Sequence, residues 1–146
     1  YTRSFKSKNP SWAHGFLGDS GEGEDVVIMD VMISSGGSML DVAKQLKGLN
    51  AGRVFVCTTY GLFTDGLDKF DEDYEKGYLH RLITTNLNYR PKELLERPYY
   101  IEANMSKYLA SIMDIINHDV SVEKVRSSND KIIKLLEKNR RRQSGS

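Results

Sequence analysis

The sequence predicts an α/β protein in which a parallel β-sheet is flanked by helices. Three short apolar runs, at residues 26–29, 53–59 and 79–85, contain several β-branched residues, as in strands that are buried in a parallel sheet. Turn residues separate these runs from segments with apolar side chains at helical spacing. Strands that alternate with helices favour a parallel sheet with right-handed crossovers.

The first apolar run leads into a glycine-rich turn and the start of a helix. Asp30 closes the predicted strand, and the turn reads Ser-Ser-Gly-Gly-Ser at positions 34–38. Ser38 is placed to cap the helix, and the charge of Asp41 suits the positive end of the helix dipole. The predicted helix has four apolar residues on one face: Met39, Val42, Ala43 and Leu46.

This order of strand, turn and helix is typical of a phosphate-binding loop. Two glycines permit a tight turn, and the N–H groups of the helix start, with three serine hydroxyls, are suited to an anion. A carboxylate after the strand can accept hydrogen bonds from sugar hydroxyls. The alternative is an ordinary strand-to-helix turn, because short motifs produce false positives. The candidate ligand-binding residues are Asp30, Ser34, Ser35, Gly36, Gly37 and Ser38.

The second predicted strand is followed by an amphipathic helix at residues 64–77. Leu67, Phe70 and Tyr74 lie at helical spacing and should face the core. The acidic side chains should form a solvated outer surface. These acidic residues are Asp71, Glu72, Asp73 and Glu75.

The remaining third of the chain is predicted to be mainly helical. Two prolines bracket residues 92–97, which predict a loop or a single helical turn before a short strand at 99–102. A broad apolar stripe marks a helix at 105–117, which should pack on the sheet or on another subunit. A last helix is predicted at 130–139.

Composition restricts the classes of function. With 146 residues, 39% of them hydrophobic and 28% charged, the chain should be soluble and form one principal domain. A net charge of +1 and the lack of a long apolar run give no argument for nucleic acid or membrane partners. The single cysteine, Cys57, fits a reducing, cytoplasmic setting. We expect an irregular segment at 1–10, a domain at 11–139, and a basic tail with linker-like residues at 140–146.

The sequence around the loop resembles that of one family, the ribose-phosphate pyrophosphokinases (PRPP synthetases). Residues 26–38 are similar to the family's phosphoribosyl-pyrophosphate loop. Four further segments add to the resemblance: AHGFLG, RVFVCTTYGLFTDGLDKFDEDYEKGY, TTNLNYRPKELLERPYYI and MSKYLASIMDIINHDVS. It runs from residue 1 to about residue 138 and covers the family's carboxyl-terminal half. It implies a phosphoribosyltransferase-like sheet whose earlier strands are missing from this chain.

The resemblance also implies a reaction. The family transfers pyrophosphate from ATP to ribose 5-phosphate with Mg²⁺. By resemblance, the loop at 34–38 would hold the 5-phosphate and Asp30 the ribose hydroxyls. ATP and Mg²⁺ are implied by the family alone, and no catalytic residue or metal ligand is assigned in this chain.

Three departures from the family pattern concern catalysis. Val31 stands where the loop has a second acid, Gly15 replaces the acid of the AHEFLG-like segment, and Thr2 replaces a lysine of the basic catalytic loop. Because phosphoryl transfer depends on positioned charge, we expect little or no activity from this chain alone.

Three interpretations therefore stay open. The chain is a pyrophosphokinase-like domain that works with a complementary N-terminal half, an engineered or truncated phosphate- or nucleotide-binding scaffold, or a self-associating structural domain. The missing Met at the start favours a processed, truncated or engineered chain. A half-sheet leaves an open edge, which proteins normally cover or pair. We therefore expect a homo-oligomer or a complementary half as partner.

Overall fold

The computed structural model of the chain describes residues 2–3, 12–13, 22–118 and 128–143. The predicted departure at Gly15 lies outside these residues. The chain divides into two compact units, Tyr1–Asn104 and Met105–Ser146. The domain expected at 11–139 stays a prediction.

The first unit contains a small ribbon and a four-stranded parallel sheet. In the ribbon, β1 (Thr2–Arg3) pairs antiparallel with β2 (Trp12–Ala13). The four parallel strands lie side by side in chain order, which confirms the predicted α/β fold with a parallel sheet. They are β3 (Val26–Ile33), β4 (Val54–Gly61), β5 (Arg81–Thr85) and β6 (Tyr100–Ala103).

Three helices connect these strands, and the core lies between them and one face of the sheet. They are α1 (Gly37–Gly48), α2 (Asp68–Glu75) and α3 (Lys92–Leu95). Buried residues of the helices, among them Leu40, Phe70 and Leu94, join buried Val56 and Leu82 of the central strands in one apolar cluster. The carboxyl ends of the strands lead into the loops that precede these helices, and the candidate site lies there.

The burial predicted for the first strand is wrong. β3 is an edge strand among the described residues, and Val27, Met29 and Val31 are 56%, 82% and 68% exposed. An unbroken apolar run is compatible with a central strand, but it carries no information on how many neighbours the strand has. The strand is also longer than predicted and continues through Asp30 to Ile33.

The acidic outer surface predicted for α2 is only partly correct. Asp73 is buried, and its carboxylate lies 3.1 Å from the ammonium of Lys44 on α1. Asp71 is half-buried and accepts hydrogen bonds from Arg97 and Tyr99. Burial raises the pKa of Tyr99, and the hydrogen bond to the Asp71 carboxylate raises it further. These two carboxylates therefore tie α2 to its neighbours.

The second unit consists, in its described part, of α4 (Ser106–Asn117) and α5 (Ser128–Gln143). No residue of α4 is buried, although its apolar stripe predicted broad burial. The helix α5 includes the arginine triplet at 140–142, which was predicted to form a solvated tail. Within the described ranges, no helix combines the length and the apolar character needed to cross a membrane.

Candidate functional site

The serine- and glycine-rich loop connects β3 to α1 at the carboxyl edge of the sheet. β3 ends at Ile33 and α1 begins at Gly37, so residues 34–36 form the turn. Gly36 has a φ angle of 82°, in the left-handed region that favours glycine. The predicted glycine requirement is therefore located at Gly36, because the φ angle of Gly37 is not positive.

A second reason for glycine at position 36 is the ring of Phe70. A Cβ atom on Gly36 would lie 2.2 Å from Cζ of Phe70, a distance that real contacts do not reach. Phe70 is fully buried on α2, and its ring meets that of Phe63 edge-on with centroids 5.3 Å apart. The loop backbone thus rests directly on an aromatic pair of the core.

Ser38 does not cap α1, contrary to the prediction. The N-cap residue is Gly36, and no side chain caps the helix, because the turn places Ser38 inside the first turn of α1. The amide N–H groups of Gly37, Ser38 and Met39 have no hydrogen-bond acceptor among the described residues. The first helical turn therefore presents uncommitted donors together with the positive end of its dipole.

A threonine that the sequence analysis did not assign contacts this loop. The N–H of Thr64 donates to the carbonyl of Ser34 at 3.0 Å, and the two side-chain oxygens are 3.4 Å apart. The N–H of Leu62 donates to the carbonyl of Ile33 at 2.8 Å. The loop that follows β4 is thus bonded along the loop that follows β3. The sequence signal for this contact was the predicted parallel sheet, because parallel pairing brings the carboxyl ends of neighbouring strands together.

Asp30 lies within β3, before the end of the strand. It is exposed, and its Oδ1 accepts the N–H of Val31 at 2.6 Å. The strand register pairs it with Thr58 of β4, which is paired in turn with Thr84 of β5. No hydrogen bond joins Asp30 to residues 34–38 in the described part of the chain.

Comparison with known proteins adds the decisive observation. The ribose-phosphate pyrophosphokinase of Vibrio cholerae is 30% identical to this chain over 114 residues, which are 78% of the chain. The enzyme of the same name from Mycoplasmopsis pulmonis is 29% identical over 112 residues. The chain is related to the ribose-phosphate pyrophosphokinases. It spans about 35% of the length of the Vibrio cholerae protein and 34% of the other.

A solved structure supports the same relationship at the level of the fold. The phosphoribosylpyrophosphate synthetase of Mycobacterium smegmatis superimposes with a TM-score of 0.63 at 19% identity, over 78% of this chain and 35% of that protein. No family model matches the chain. The predicted resemblance to the ribose-phosphate pyrophosphokinases and the predicted fold class are confirmed.

The residues of the loop do not fit a resident magnesium ion, which the resemblance to the ribose-phosphate pyrophosphokinases implied. In the described ranges, no group of three or more His, Cys, Asp and Glu side chains is placed to hold a metal. Asp30 is followed by Val31, whose side chain is 68% exposed and offers no oxygen ligand. The loop supplies one carboxylate where oxygen-rich coordination is needed.

Proposed function

We propose that the chain is a sugar-phosphate-binding portion of a ribose-phosphate pyrophosphokinase and that residues 34–38 hold the phosphate of ribose 5-phosphate. The observation that carries the proposal is the first turn of α1, where Gly37, Ser38 and Met39 present N–H groups without acceptors. The family relationship supports a sugar phosphate as the ligand, since the relatives are named for a ribose phosphate.

The phosphate would be bound by the backbone and by hydroxyl groups. Donors at the helix start point toward an anion and add to the favourable helix dipole. The hydroxyls of Ser34, Ser35 and Ser38 are half-buried or exposed, and no other described side chain competes for those of Ser35 and Ser38. Gly36 allows the backbone to turn here, and the ring of Phe70 beneath it fixes the turn.

Asp30 is proposed to bind the ribose hydroxyls, and Val31 limits what the loop can do beyond binding. Positioning and charge neutralisation dominate phosphoryl transfer, and the loop offers a single carboxylate. We therefore propose that this chain, by itself, binds ribose 5-phosphate without transferring pyrophosphate from ATP. The ATP and Mg²⁺ of the family reaction would be held by groups outside the described residues.

The exposed edge of β3 supports a proposal about partners. No described strand pairs with its outer edge, while its side chains Val27, Met29 and Val31 are exposed. Unprotected apolar edges normally pair with another strand. A second copy of the chain or a complementary N-terminal half would cover it. Light scattering of the wild type and of Val27→Lys tests self-association. The wild type should be an oligomer that the substitution weakens, and a monomer in both samples would contradict self-association.

A second candidate function is a phosphate-binding scaffold without any part in catalysis. The observation that favours it is Val31, which removes an acid beside the sugar position and leaves an apolar side chain exposed there. The two functions differ when the missing portion of a pyrophosphokinase is supplied as a separate chain. Release of AMP from ATP and ribose 5-phosphate in that mixture favours the first function, and its absence favours the scaffold.

Calorimetric titration tests the binding proposal with three ligands, namely ribose 5-phosphate, inorganic phosphate and ribose. The first two should bind and ribose alone should not. Ser38→Ala should weaken both phosphate ligands about fivefold to tenfold, since one hydrogen bond contributes on the order of 1–1.5 kcal/mol. Asp30→Asn should weaken ribose 5-phosphate alone.

Ser111→Ala provides the matched control. Ser111 is an exposed serine of α4, in the other compact unit, and its hydroxyl donates to the carbonyl of Lys107. Its replacement should leave all affinities unchanged. Equal effects of Ser38→Ala and Ser111→Ala, or equal losses of phosphate and ribose 5-phosphate in Asp30→Asn, would contradict the proposed roles.

A further inference from the structure

A cavity of about 430 Å³ lies at the carboxyl edge of the sheet and is not used by the phosphate loop. One side is formed by Leu62, Phe63 and Leu67, from the connection between β4 and α2. The other side is formed by Tyr89 and Pro91, from the connection between β5 and α3. Its size is in the range of small-molecule sites, and carboxyl ends of parallel strands are common places for such sites.

The walls of this cavity present apolar and aromatic surface to solvent. The side chain of Tyr89 is 84% exposed and that of Leu62 is 48% exposed, whereas Phe63 behind them is nearly buried. Solvent-exposed apolar groups that meet in a concave surface are typical of binding sites.

The backbone on both sides of the cavity is held in place. The side-chain amide of Asn88 donates to the carbonyl of Gly61 at 2.7 Å and to that of Tyr89 at 3.1 Å, which joins the end of β4 to the connection between β5 and α3. Phe63 has a φ angle of 50°, which is uncommon for a residue other than glycine, and its ring packs edge-on against that of Phe70. The cavity is therefore a preformed part of the fold.

The charges at the cavity are negative in sum. The carboxylates of Asp68 and Glu93 line it, and neither has an ion-pair partner among the described residues. Arg97 also lines it, but its Nε and Nη2 atoms each lie 2.8 Å from the carboxylate of Asp71. The guanidinium charge is thus compensated, while the two carboxylates at the cavity are not.

The nearest lysines along the chain do not change this balance. Lys69 lies 3.8 Å from a carboxylate oxygen of Asp65, and Lys92 lies 3.9 Å from one of Glu96. Both therefore have acidic partners of their own. An anionic ligand such as a phosphate would meet Asp68 and Glu93 unfavourably, whereas a cation would be attracted by both.

We propose that this cavity binds a small organic cation that carries an aromatic or bulky apolar group, of the aryl-alkyl amine class. The apolar group packs on Leu62 and Phe63. The ammonium group lies near the carboxylates of Asp68 and Glu93 and within reach of the Tyr89 ring, whose face attracts cations. The site is separate from residues 34–38, and this proposal does not depend on the proposed function.

Three probes that share one ring system and differ in charge test the assignment on the full chain. Tryptamine carries an ammonium group, tryptophol a neutral hydroxyl, and indole-3-propionate a carboxylate. Titration followed by NMR or calorimetry should show tryptamine binding at least about fivefold more tightly than tryptophol, and indole-3-propionate most weakly. Equal affinity for the three probes, or no tryptamine binding at millimolar concentration, overturns the proposal.

Substitutions locate the site. Tyr89→Ala should weaken tryptamine about fivefold or more without loss of folding, because the ring is largely exposed. Glu93→Gln and Asp68→Asn should each reduce the preference for tryptamine over tryptophol while leaving tryptophol affinity unchanged. Tyr108→Ala, at an exposed tyrosine of α4, is the matched control and should have no effect.

The phosphate loop gives an internal check. Inorganic phosphate should bind equally to the wild type and to Tyr89→Ala. The tryptamine measurement does not depend on phosphate binding, so it tests the cavity even if residues 34–38 bind no phosphate. An unchanged tryptamine affinity in Tyr89→Ala, with that variant folded as judged by circular dichroism, would place the probe elsewhere and overturn the assignment.

Discussion

Replacement of Gly36 by alanine should strongly destabilise the protein. The new Cβ would lie 2.2 Å from Cζ and 2.8 Å from Cε2 of Phe70, whose side chain is fully buried and has little room to move. Overpacking of this kind costs about 1–3 kcal/mol. Alanine would also have to keep a φ angle of 82°, for about 1–2 kcal/mol more. The free energy of unfolding in urea, followed by circular dichroism, should fall by about 2–5 kcal/mol.

Gly37→Ala is the control for this prediction, because the two glycines are adjacent. A Cβ on Gly37 would have only Ser35 Oγ within reach, at 3.9 Å, and its φ angle is not positive. Alanine in a helix is favoured over glycine by about 1 kcal/mol, so stability should be unchanged or higher. Adding Phe70→Leu should cost less in the Gly36→Ala background than in the wild type, since it relieves the clash. Equal stabilities of the two alanine variants would refute the reasoning.

Three further predictions concern pH and packing. Hydrogen bonds from Arg53 lower the pKa of Asp25 from 3.8 to about 2. The contribution of Asp25 to stability is therefore present above pH 3.8 and is lost as the pH falls toward 2. Urea titrations of Asp25→Asn should not show that loss. Burial, with the nearby positive charges of Arg81 and Arg53, lowers the pKa of His80 below 6.5. Stability should therefore decrease as pH falls through 6.5, and a flat profile in that window, or one that His80→Gln leaves unaltered, would disprove this role. Leu94→Ala, at a fully buried side chain of α3, should lower the free energy of unfolding by about 2–5 kcal/mol, and a loss below 1 kcal/mol would contradict the packing assigned to it.

The sequence predicted the kinds and the order of the elements from β3 to α5, whereas β1 lies in a segment that was expected to be irregular. Continuous apolar runs and helical spacing located the strands that became β4 and β5 and the helices α1 and α2, since both signals depend on local periodicity. The glycine-rich segment at 34–38 was located by its residue types, because serine and glycine favour turns. The resemblance to the pyrophosphokinases rested on sequence segments distributed along the chain. It is confirmed by a relative that matches 78% of the chain.

The contacts around the site could not be predicted, because they join residues that are distant in the chain. The sequence made Ser38 a helix cap, but the left-handed turn at Gly36 and the ring of Phe70 beneath it place the helix start earlier. The acidic pattern of α2 gave no sign that Asp73 would be buried beside Lys44. Whether the candidate residues bind a sugar phosphate stays a prediction.

The order of the sheet has a consequence for how the protein acquires its structure. Each strand of the parallel sheet pairs with the next one in the chain, so register partners such as Val26 and Val54 are separated by roughly 30 residues or fewer. No distant segments need to meet before the first pairs form. The closest partners join β5 to β6, where Leu82 pairs with Tyr100. We expect β5 and β6 to form an early nucleus to which β4 and then β3 are added, so that the edge carrying residues 34–38 is the last part of the sheet to become ordered.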